Sequence, residues 1–550
     1  MMRRRFLPLL LLMVPAVVAA QTVYLAATHP VYGFLDRMEA KQALTGYRDV
    51  VKPLSRTAIA RYLVQIDTTG IPLTETDREL VLYYKEEFFP ELTAIGYENL
   101  IEERWHLYHY QEAPGDFTVD LLGGYSYQHR AEGRISKIIS NGINVYGTVG
   151  SSIGMYFNFR DNSENDLRQR AFYPYSSDPA QVVAISNYSR MNYDPTDVQF
   201  NVDLGPVTLS LEKMHNVWGA GERGNLILST KSPSFPQIKM RAKFADNVDF
   251  TYIHGWLYSG IIDSSRTYTD PTVTEGFGMR RVFRPKYIAS HILEMTPWQG
   301  VDLSIGESEV YGSRNPELLY LIPVMFFKAG EHWMDDTDNS QMFFSADLNV
   351  VKDQNYYMTL FLDEFSTETF TDPNRHHNQL GFTVGARLYD LYIGDTQLMV
   401  EYTRTNPWVY NHRFSDDTYQ SHGVDLGHWI GQNADLFTVQ YLYRPSRTLQ
   451  AGLFFESFRK GGKDSTVFQY TMPPEVFLYG PLTKQQSFGI VGTWEPVRDL
   501  MVDFRILRKR FTSQLTATDF TIVNDPNEYE ILPDYAGKWD LFVSFRYNFD

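Results

Sequence analysis

A glycine-rich segment stands out as a place where the chain could do chemistry. Gly219, Gly221 and Gly224 follow the spacing G-x-G-x-x-G, which cradles a dinucleotide pyrophosphate when a strand precedes it and a helix follows. Here the segments on both sides, residues 208–214 and 238–244, have the alternating pattern of strands. These flanks disfavour nucleotide binding and predict a tight loop, in which glycine permits a positive φ.

Two charged residues of this segment, Glu222 and Arg223, can fasten the loop in place. A charge that leaves water is tolerated only when it finds a partner of opposite sign. If the loop folds into the interior of the protein, Glu222 and Arg223 can pair across that interior. We therefore favour a structural role, in which the segment that begins at Trp218 plugs the interior, over contact with a ligand.

Three stretches combine aromatic rings with polar side chains, which is how many proteins hold sugars. Ring faces pack on the C–H faces of a carbohydrate, while fixed polar groups bind its hydroxyls. Such rings also form girdles at the ends of membrane-spanning segments, and this alternative stays open. The candidate polysaccharide contacts are Trp333, Asp335, Asp336, Trp408, Tyr410, His412 and Trp429.

Catalytic and metal chemistry find less support. Residues 335–338 are rich in aspartate but lack the glycine and distal glutamate of an EF-hand, so calcium is kept only as an alternative. The strand pattern places no serine near His376 and His377 to make a lipase-like pair. Asp363 and Glu364 are adjacent and face opposite sides of a strand, so they cannot form a glycosidase pair. We expect no enzyme, no cofactor and no metal centre.

The elements that position these residues follow a period of two from residue 117 onward. Val198, Phe200 and Val202 alternate with Gln199 and Asn201, which is typical of a strand with one apolar and one polar face. Such segments run for about 9–11 residues, the length that a tilted strand needs to cross a bilayer. The pattern predicts strands that face lipid on one side and a polar lumen on the other.

Short turns and long connections alternate between these strands. The short turns lie at residues 205–206, 245–246, 298–299, 352–353, 390–395, 444–447 and 496–498. The long connections lie at residues 161–196, 216–235, 261–284, 312–339, 406–432, 460–485 and 511–537. This asymmetry is typical of a membrane barrel with tight periplasmic turns and long external loops. Residues 116–550 are therefore predicted to form an all-β transmembrane barrel of about 18 antiparallel strands.

Two regions precede the predicted barrel. Residues 1–20 join a basic start to a short apolar run and small residues, which predicts a cleaved signal peptide. Residues 21–115 show apolar stripes at helical spacing and are predicted to form a small helical bundle in the periplasm. Ser55 is placed to cap one helix, and Thr74 with Asp77 has the pattern of a capping box at the start of another.

The composition narrows the classes of function. The formal net charge is -16, so the chain repels nucleic acid, which is not expected as a partner. No apolar run after the signal peptide reaches the about 20 residues that a membrane-spanning helix needs. The chain has no cysteine, so packing and strand pairing must stabilise it in place of disulfides.

The glycine-rich segment also carries a family resemblance. Capsule-assembly outer-membrane proteins of the Wzi type have a signature that resembles Trp218-Gly-x-Gly-x-x-Gly, then Leu226-x-Leu228-Ser229, then Phe235-Pro236-x-Ile238. Ala220 departs from this pattern, in which a proline is usual. The N-terminal pattern from Tyr32 to Leu44, followed by Lys52-Pro53-Leu54-Ser55-Arg56, resembles that of family members from Bacteroidetes-like bacteria.

The resemblance implies a barrel of about 18 strands with a periplasmic helical bundle and a lectin-like role without enzyme chemistry. We therefore predict an outer-membrane protein of a Gram-negative bacterium that binds or organises capsular polysaccharide or exopolysaccharide at the cell surface. Membrane lipid would surround the barrel, and the chain would act as a monomer. The alternative function is that of a porin or exporter for sugars or small solutes.

Overall fold

The computed structural model describes residues 23–548 except 100, 166–175, 183–184, 188–189, 271, 273–277, 366–377, 463–468, 470 and 516–533. The predicted signal peptide, residues 1–20, lies outside the described residues. The described helices are α1 (Val31–Ala40), α2 (Arg56–Thr68), α3 (Glu75–Glu87), α4 (Phe89–Ala94) and α5 (Phe327–Trp333), with a 3-10 turn at Leu319–Leu321. None of these helices is both long and apolar enough to cross a membrane.

Eighteen antiparallel strands close into a barrel, which confirms the predicted fold class. In chain order they are β1 (Gly115–His129), β2 (Ile135–Val149), β3 (Ile153–Glu164), β4 (Thr196–Asp203), β5 (Val207–Met214), β6 (Phe235–Ala245), β7 (Val248–Ile262), β8 (Phe283–Trp298), β9 (Val301–Gly312), β10 (Asn339–Val351), β11 (Gln354–Glu364), β12 (Gln379–Tyr389), β13 (Thr396–Thr405), β14 (Ala434–Ser446), β15 (Leu449–Lys460), β16 (Thr483–Val497), β17 (Leu500–Ser513) and β18 (Tyr535–Tyr547). Shorter strands are Val51–Lys52, Tyr108–Glu112, Ile185–Asn187, Arg190–Tyr193, Val217–Trp218, Tyr268–Thr269, Met279–Arg280, Gln420–Ser421 and Val424–Asp425.

The barrel closes where the last strand meets the first. β18 pairs with β1, from Leu541 opposite His129 to Tyr547 opposite Gly123. Closure gives the backbone groups of both terminal strands a partner, which a bilayer cannot supply. The closed ladder explains how a chain with so many polar strand residues can lie in a membrane.

The two faces of the strands differ as the period of two predicts. On β4, Val198 and Phe200 are exposed on the outer wall, whereas Gln199 is buried in the lumen. The Gln199 amide donates to Glu212 at 2.9 Å, and Lys239 lies 3.0 Å from the same carboxylate. The lumen is therefore a hydrogen-bonded polar interior, while the outer wall is apolar.

The two ends of the barrel also differ, as predicted. Short turns such as residues 246–247 and 352–353 join the strands at one end, which we call the turn end. Long connections such as residues 313–338 and 406–433 leave the opposite end, which we call the loop end. This alternation follows the short and long connections that the sequence predicts.

Helices α1 to α4 form a small bundle around one apolar core, to which Leu35 and Leu63 contribute. The Ser55 hydroxyl accepts from the Ala58 N–H at the start of α2, and Thr74 and Asp77 form a capping box at the start of α3. Both predicted caps are therefore confirmed. The domain boundaries after residues 20 and 115 stay predictions.

Ion pairs hold α1 against the turn end of the barrel. The Arg37 guanidinium lies 2.8 Å from Asp77 of the bundle and 2.8 Å from Asp390 in the turn between β12 and β13. Lys41 lies 2.6 Å from the same two carboxylates. The Asp353 N–H in another turn donates to the carbonyl of Ala40 at 2.7 Å. The first helix is thus docked on two neighbouring turns.

The other side of the bundle docks on the turn between β16 and β17. Arg498 of this turn forms an ion pair with Glu86 of α3, and its guanidinium lies 4.2 Å from the centre of the Tyr83 ring. Arg104 lies 3.4 Å from Asp499 and 2.8 Å from Asp120 of β1. The bundle therefore lies across the turn end rather than hanging from one strand.

Candidate functional site

The glycine-rich segment lies inside the barrel, where it meets a segment from the N-terminal region. The strand Val217–Trp218 pairs with Val51–Lys52, and the Gly219 N–H donates to the Val50 carbonyl at 2.9 Å. The Trp218 side chain is fully buried in an apolar cluster that includes Phe343 of β10. A loop from the loop end thus joins a segment that enters from the turn end. We call these two pieces, residues 50–52 and 217–228, the plug.

The glycines of the plug are required by its backbone. Gly219 and Gly224 have φ angles of +123° and +144°, in a region that side chains disfavour. A Cβ on Gly221 would lie 2.2 Å from the backbone oxygen of Gly224. The segment runs from strand β5 to strand β6 without a helix, so the arrangement that holds a dinucleotide is absent from residues 207–245. The tight loop that the sequence predicts is confirmed.

A Gly221→Ala variant is expected to lower the free energy of unfolding by about 1–3 kcal/mol, because the added methyl group forces the loop backbone apart. Gly394→Ala is the matched control, since this glycine also lies outside helices and strands and a Cβ there meets nothing within 4 Å. Equilibrium unfolding of the refolded barrel in urea measures both variants. Equal stability of the two variants would contradict the close approach within the plug.

Glu222 and Arg223 do not pair with each other but with strands on the barrel wall. Glu222 lies 2.5 Å from Arg387 of β12, and Arg223 lies 2.9 Å from Glu456 of β15. Each charge therefore finds a partner of opposite sign, and the two pairs fasten the plug at two points. Ligand contact by these side chains would first have to break the pairs.

A third carboxylate, Glu401 of β13, binds the backbone of the same loop. It accepts the N–H groups of Glu222 at 2.6 Å and Arg223 at 3.0 Å, and the Tyr357 hydroxyl at 2.8 Å. Sequence reasoning missed Arg387, Glu401 and Glu456. As charged residues on strands, they are predicted only to face the lumen. The sequence pattern does not indicate which atoms of the loop they contact.

Three of the predicted sugar-contacting aromatics are buried between folded-in loops. Trp408, Tyr410 and Trp429 are each at most 6% exposed. The Tyr410 hydroxyl donates to the Leu226 carbonyl at 2.7 Å, and the Trp429 indole N–H donates to the Arg223 carbonyl at 2.6 Å. These contacts join the connection 406–433 to the plug. In this conformation the three rings are occupied with packing.

The other predicted contacts lie at the surface of the loop end. Trp333 is 80% exposed, and both Asp335 and Asp336 are exposed beside it. The Arg413 guanidinium donates to the Asp336 carbonyl at 2.7 Å, which brings the connections 313–338 and 406–433 together. A surface cluster results, which we call the rim patch: Trp333, Asp335, Asp336, His412, Arg413 and Phe414.

His412 of the rim patch is half-buried and carries no charge at neutral pH. Burial, together with the positive charge of Arg413, lowers its pKa to about 4. The imidazole ring centre lies 5.5 Å from that of Phe414, which is exposed. A neutral imidazole both donates and accepts hydrogen bonds, which suits recognition of hydroxyl groups.

A cavity of ≈ 800 Å³ lies in the part of the lumen that the plug leaves open. Its walls combine rings such as Tyr156 and Tyr258 with charged side chains such as Arg160 and Asp197. Tyr258 stacks on His422 of the connection 406–433, with ring centres 4.4 Å apart. Sequence reasoning missed this cavity, because its position depends on which part of the lumen the loops fill.

Metal and catalytic alternatives gain no support from the described residues. Asp338 is buried and binds Arg314 through both carboxylate oxygens, at 2.8 and 2.5 Å, and the Tyr320 hydroxyl at 2.7 Å. Its oxygens are thus engaged by the protein and are not available to a calcium ion. Within the described ranges, no group of three or more His, Asp or Glu side chains is placed to hold a metal. His376 and His377 lie outside the described residues.

The chain is similar over nearly its whole length to a solved capsule assembly protein. That protein is Wzi, an outer-membrane protein involved in group 1 capsule assembly in Escherichia coli, described as a carbohydrate-binding β-barrel. The identity is 12% and the TM-score 0.56, over 96% of this chain and 99% of that chain. At this identity the likeness shows the barrel fold.

Two further solved structures are less similar. OccK7 (OpdD) of Pseudomonas aeruginosa is 9% identical, with a TM-score of 0.41, over 79% of this chain and 99% of that chain. OccAB2 of Acinetobacter baumannii is 9% identical, with a TM-score of 0.43, over 79% of this chain and 97% of that chain. No curated protein matches the sequence.

The sequence model of the capsule assembly protein Wzi matches residues 199–506, which is more than half of the 550 residues. The match spans the glycine-rich segment of the plug, the connections 313–338 and 406–433, and their strand partners Arg387, Glu401 and Glu456. The chain therefore belongs to the Wzi capsule assembly family.

Proposed function

We propose that this outer-membrane barrel holds capsular polysaccharide or exopolysaccharide at the cell surface and organises it there without catalysing a reaction. The observation that carries the proposal is the family match, which spans both loops that fold into the barrel. In this setting the turn end and its helical bundle face the periplasm, and the loop end faces outward. We further propose that one chain acts as a monomer with lipid around its apolar wall.

The chemistry of the loop end supports contact with sugars. The rim patch offers an exposed indole face at Trp333, carboxylates at Asp335 and Asp336, and a neutral imidazole at His412. Stacking of a ring on the C–H face of a sugar, combined with fixed polar groups, is the usual way in which proteins bind carbohydrate. We propose the rim patch as the contact surface for polysaccharide and assign Trp408, Tyr410 and Trp429 to structural support.

Transport of sugars or small solutes is the second candidate function. Its specific support is a pair of lumen cavities of ≈ 800 and ≈ 410 Å³, which share Thr28 and Arg546 in their linings. The plug lies across the lumen and the bundle lies across the turn end, and both obstruct the free passage of solutes. We therefore propose polysaccharide binding as the first function and transport as the second.

A Trp333→Ala variant is expected to bind purified surface polysaccharide about three- to tenfold more weakly, since one ring stacked on a ligand contributes about 0.5–1.5 kcal/mol. Biolayer interferometry on protein held in nanodiscs measures the affinity. Trp298→Ala is the matched control, because this tryptophan is also well exposed but lies at the last residue of β8, at the opposite end of the barrel.

Two results would contradict the proposal in different ways. An equal loss of affinity in Trp333→Ala and Trp298→Ala would show that the rim patch is not the contact surface. Absence of saturable binding by the unaltered protein, together with a large steady conductance in planar bilayers, would favour transport and reject the binding role.

A further inference from the structure

The connection 313–338 folds outward over the barrel wall, unlike the plug, which folds inward. Successive residues of β9 face opposite sides, and Val310 packs in the lumen cluster with Trp218. Glu307, Glu309 and Tyr311 therefore face outward. All three are nevertheless buried, and Glu309 is 0% exposed. Something other than the barrel wall must cover them.

The cover is the 3-10 turn Leu319–Leu321 and helix α5. The Phe327 N–H at the start of α5 donates to Glu307 at 2.7 Å. The Ser340 hydroxyl lies 2.5 Å from Glu309 and 2.6 Å from Glu331 of α5. The segment thus binds Glu307 on the outer wall and covers Glu309, and we call residues 315–331 the flap.

Aromatic contacts fix the flap at a defined height on the wall. The ring centre of Phe327 lies 4.6 Å from that of His291, on the outer face of β8, and the Tyr252 hydroxyl donates to the Tyr320 carbonyl at 2.8 Å. Glu307 and His291 both lie near the middle of their strands. Since a strand of about 9–11 residues crosses a bilayer, the flap reaches down into the depth of the hydrocarbon region.

The side of the flap that faces away from the barrel is apolar. Leu318, Ile322, Val324 and Phe326 are exposed there, with Val324 at 72%. Residues 318–327 contain no charged side chain. An exposed apolar patch of this kind marks a binding surface rather than ordinary loop surface. It continues the apolar outer wall, on which Ile305 of β9 is 51% exposed.

We propose that the flap is a lipid-binding element, whose apolar side is embedded among the acyl chains of the outer leaflet. Its inner side binds Glu307 and covers Glu309, which a bare wall would expose to hydrocarbon at a cost in free energy. Its outer side restores an apolar surface at the same height. This inference rests on the barrel and its wall and does not depend on polysaccharide binding.

Site-directed labelling tests the flap directly, because the chain has no native cysteine. Val324→Cys carries a bimane label in the full-length protein, reconstituted in phosphatidylcholine vesicles with or without brominated acyl chains. Ile305→Cys is the control for the lipid-facing wall, and Leu82→Cys, exposed on α3, is the control for water. Leu318→Cys is a second flap variant, and heat-modifiable mobility in gels checks that each barrel is folded.

The expected result is quenching of the Val324→Cys label by brominated chains to within about twofold of the Ile305→Cys label, with little quenching by aqueous iodide. The Leu82→Cys label is expected to show the reverse. Iodide quenching of both flap labels to the level of Leu82→Cys would overturn the inference. A separate, unlabelled sample of Val324→Cys is treated with copper phenanthroline as the oxidant. Disulfide formation between two chains in that sample, without quenching of the labelled protein by lipid, would also overturn the inference, since the flap would then contact a second copy.

Discussion

An Arg37→Ala/Lys41→Ala variant is expected to release the helical bundle from the barrel, and the conductance of the barrel is expected to rise. The two cations contact Asp77, which is 1% exposed, and Asp390 of a periplasmic turn. Removing the cations breaks their ion pairs with Asp390, which join α1 to the barrel. It also leaves Asp77 of α3 without its partners inside the bundle, a change that costs about 3–5 kcal/mol in comparable buried pairs.

Conductance in planar bilayers and cleavage by trypsin at low dose measure the release. The unaltered protein is expected to conduct little, because the bundle lies across the turn end, while the variant is expected to show larger and fluctuating currents. Arg78→Ala is the matched control, since Arg78 pairs with Glu75 on an exposed face of α3. An exposed pair contributes about 0–1 kcal/mol, so the control should behave as the unaltered protein does.

The pairs of Arg37 and Lys41 with Asp77 predict how the stability of the bundle depends on pH. Burial alone would raise the pKa of Asp77, but hydrogen bonds from Arg37 and Lys41 outweigh it and hold the pKa below its usual range. A carboxylate whose pKa is lowered by folding stabilises the folded form above its unfolded pKa, and loses this contribution as pH falls through the folded pKa.

The bundle should therefore stay folded through mildly acidic pH and lose stability only in stronger acid. In Arg37→Ala, which loses one of the two cations, this loss should begin at a higher pH. Intrinsic fluorescence followed through an acid titration measures the midpoint. A midpoint that is the same in both proteins would show that Asp77 does not govern the stability of the bundle.

The strands and the bundle were predictable because local patterns determine them. On β4, Val198 and Phe200 face outward and Gln199 faces the lumen, as the alternation requires. The caps of α2 and α3 were predictable for a similar reason, since Ser55 and Thr74 bind N–H groups only three residues away. Such contacts depend on neighbours in the sequence and on little else.

Whether a loop folds into the lumen or over the outer wall was not predictable, because this depends on contacts between distant parts of the chain. Trp333 and Trp408 look alike in sequence, each an aromatic residue in a long polar connection. Trp408 is buried because its connection folds back into the lumen, where the nearby Tyr410 hydroxyl meets the Leu226 carbonyl, 184 residues away. Trp333 is exposed because its connection folds outward over the wall.

The polar residues on the outer wall were also not predictable from the sequence, because they too depend on contacts with a distant segment. Glu307 and Glu309 occupy outward positions of β9, next to the apolar Ile305. From the alternation alone, one would conclude either that two glutamates face lipid, which is unfavourable, or that the register of the strand is shifted by one residue. Only the flap explains them, since its Phe327 N–H binds Glu307 and its Glu331 lies close to Ser340 beside Glu309.

An Arg387→Met variant is expected to lower the free energy of unfolding of the barrel by about 3–5 kcal/mol, because it removes the cation from a buried ionic network. Arg387 is 3% exposed, lies 2.5 Å from Glu222, and donates to Asn355 at 2.7 Å and to the Ala220 carbonyl at 3.2 Å. Its loss frees one side of the plug and leaves the lumen more negative. Urea unfolding in lipid vesicles measures the change.

Arg546→Ala is the matched control for this variant. Arg546 is also a strand arginine bound to a carboxylate, Asp503, but the two side chains are 33% and 22% exposed. A partly exposed pair contributes about 0–1 kcal/mol, so this control separates the buried network from the general loss of an arginine. If both variants lose the same stability, the network around Arg387 does not fasten the plug.

Removal of both charges distinguishes the ion pair from other effects of Arg387. In Arg387→Met/Glu222→Gln, the plug loses the attraction but no longer carries an unpaired carboxylate, so part of the stability should return. A coupling energy of about 0.5–3 kcal/mol between the two positions is expected for residues in direct contact. Conductance should follow the same order, with the single variant leakier than the double variant, because only the single variant leaves an unpaired carboxylate on the plug that favours water over the wall.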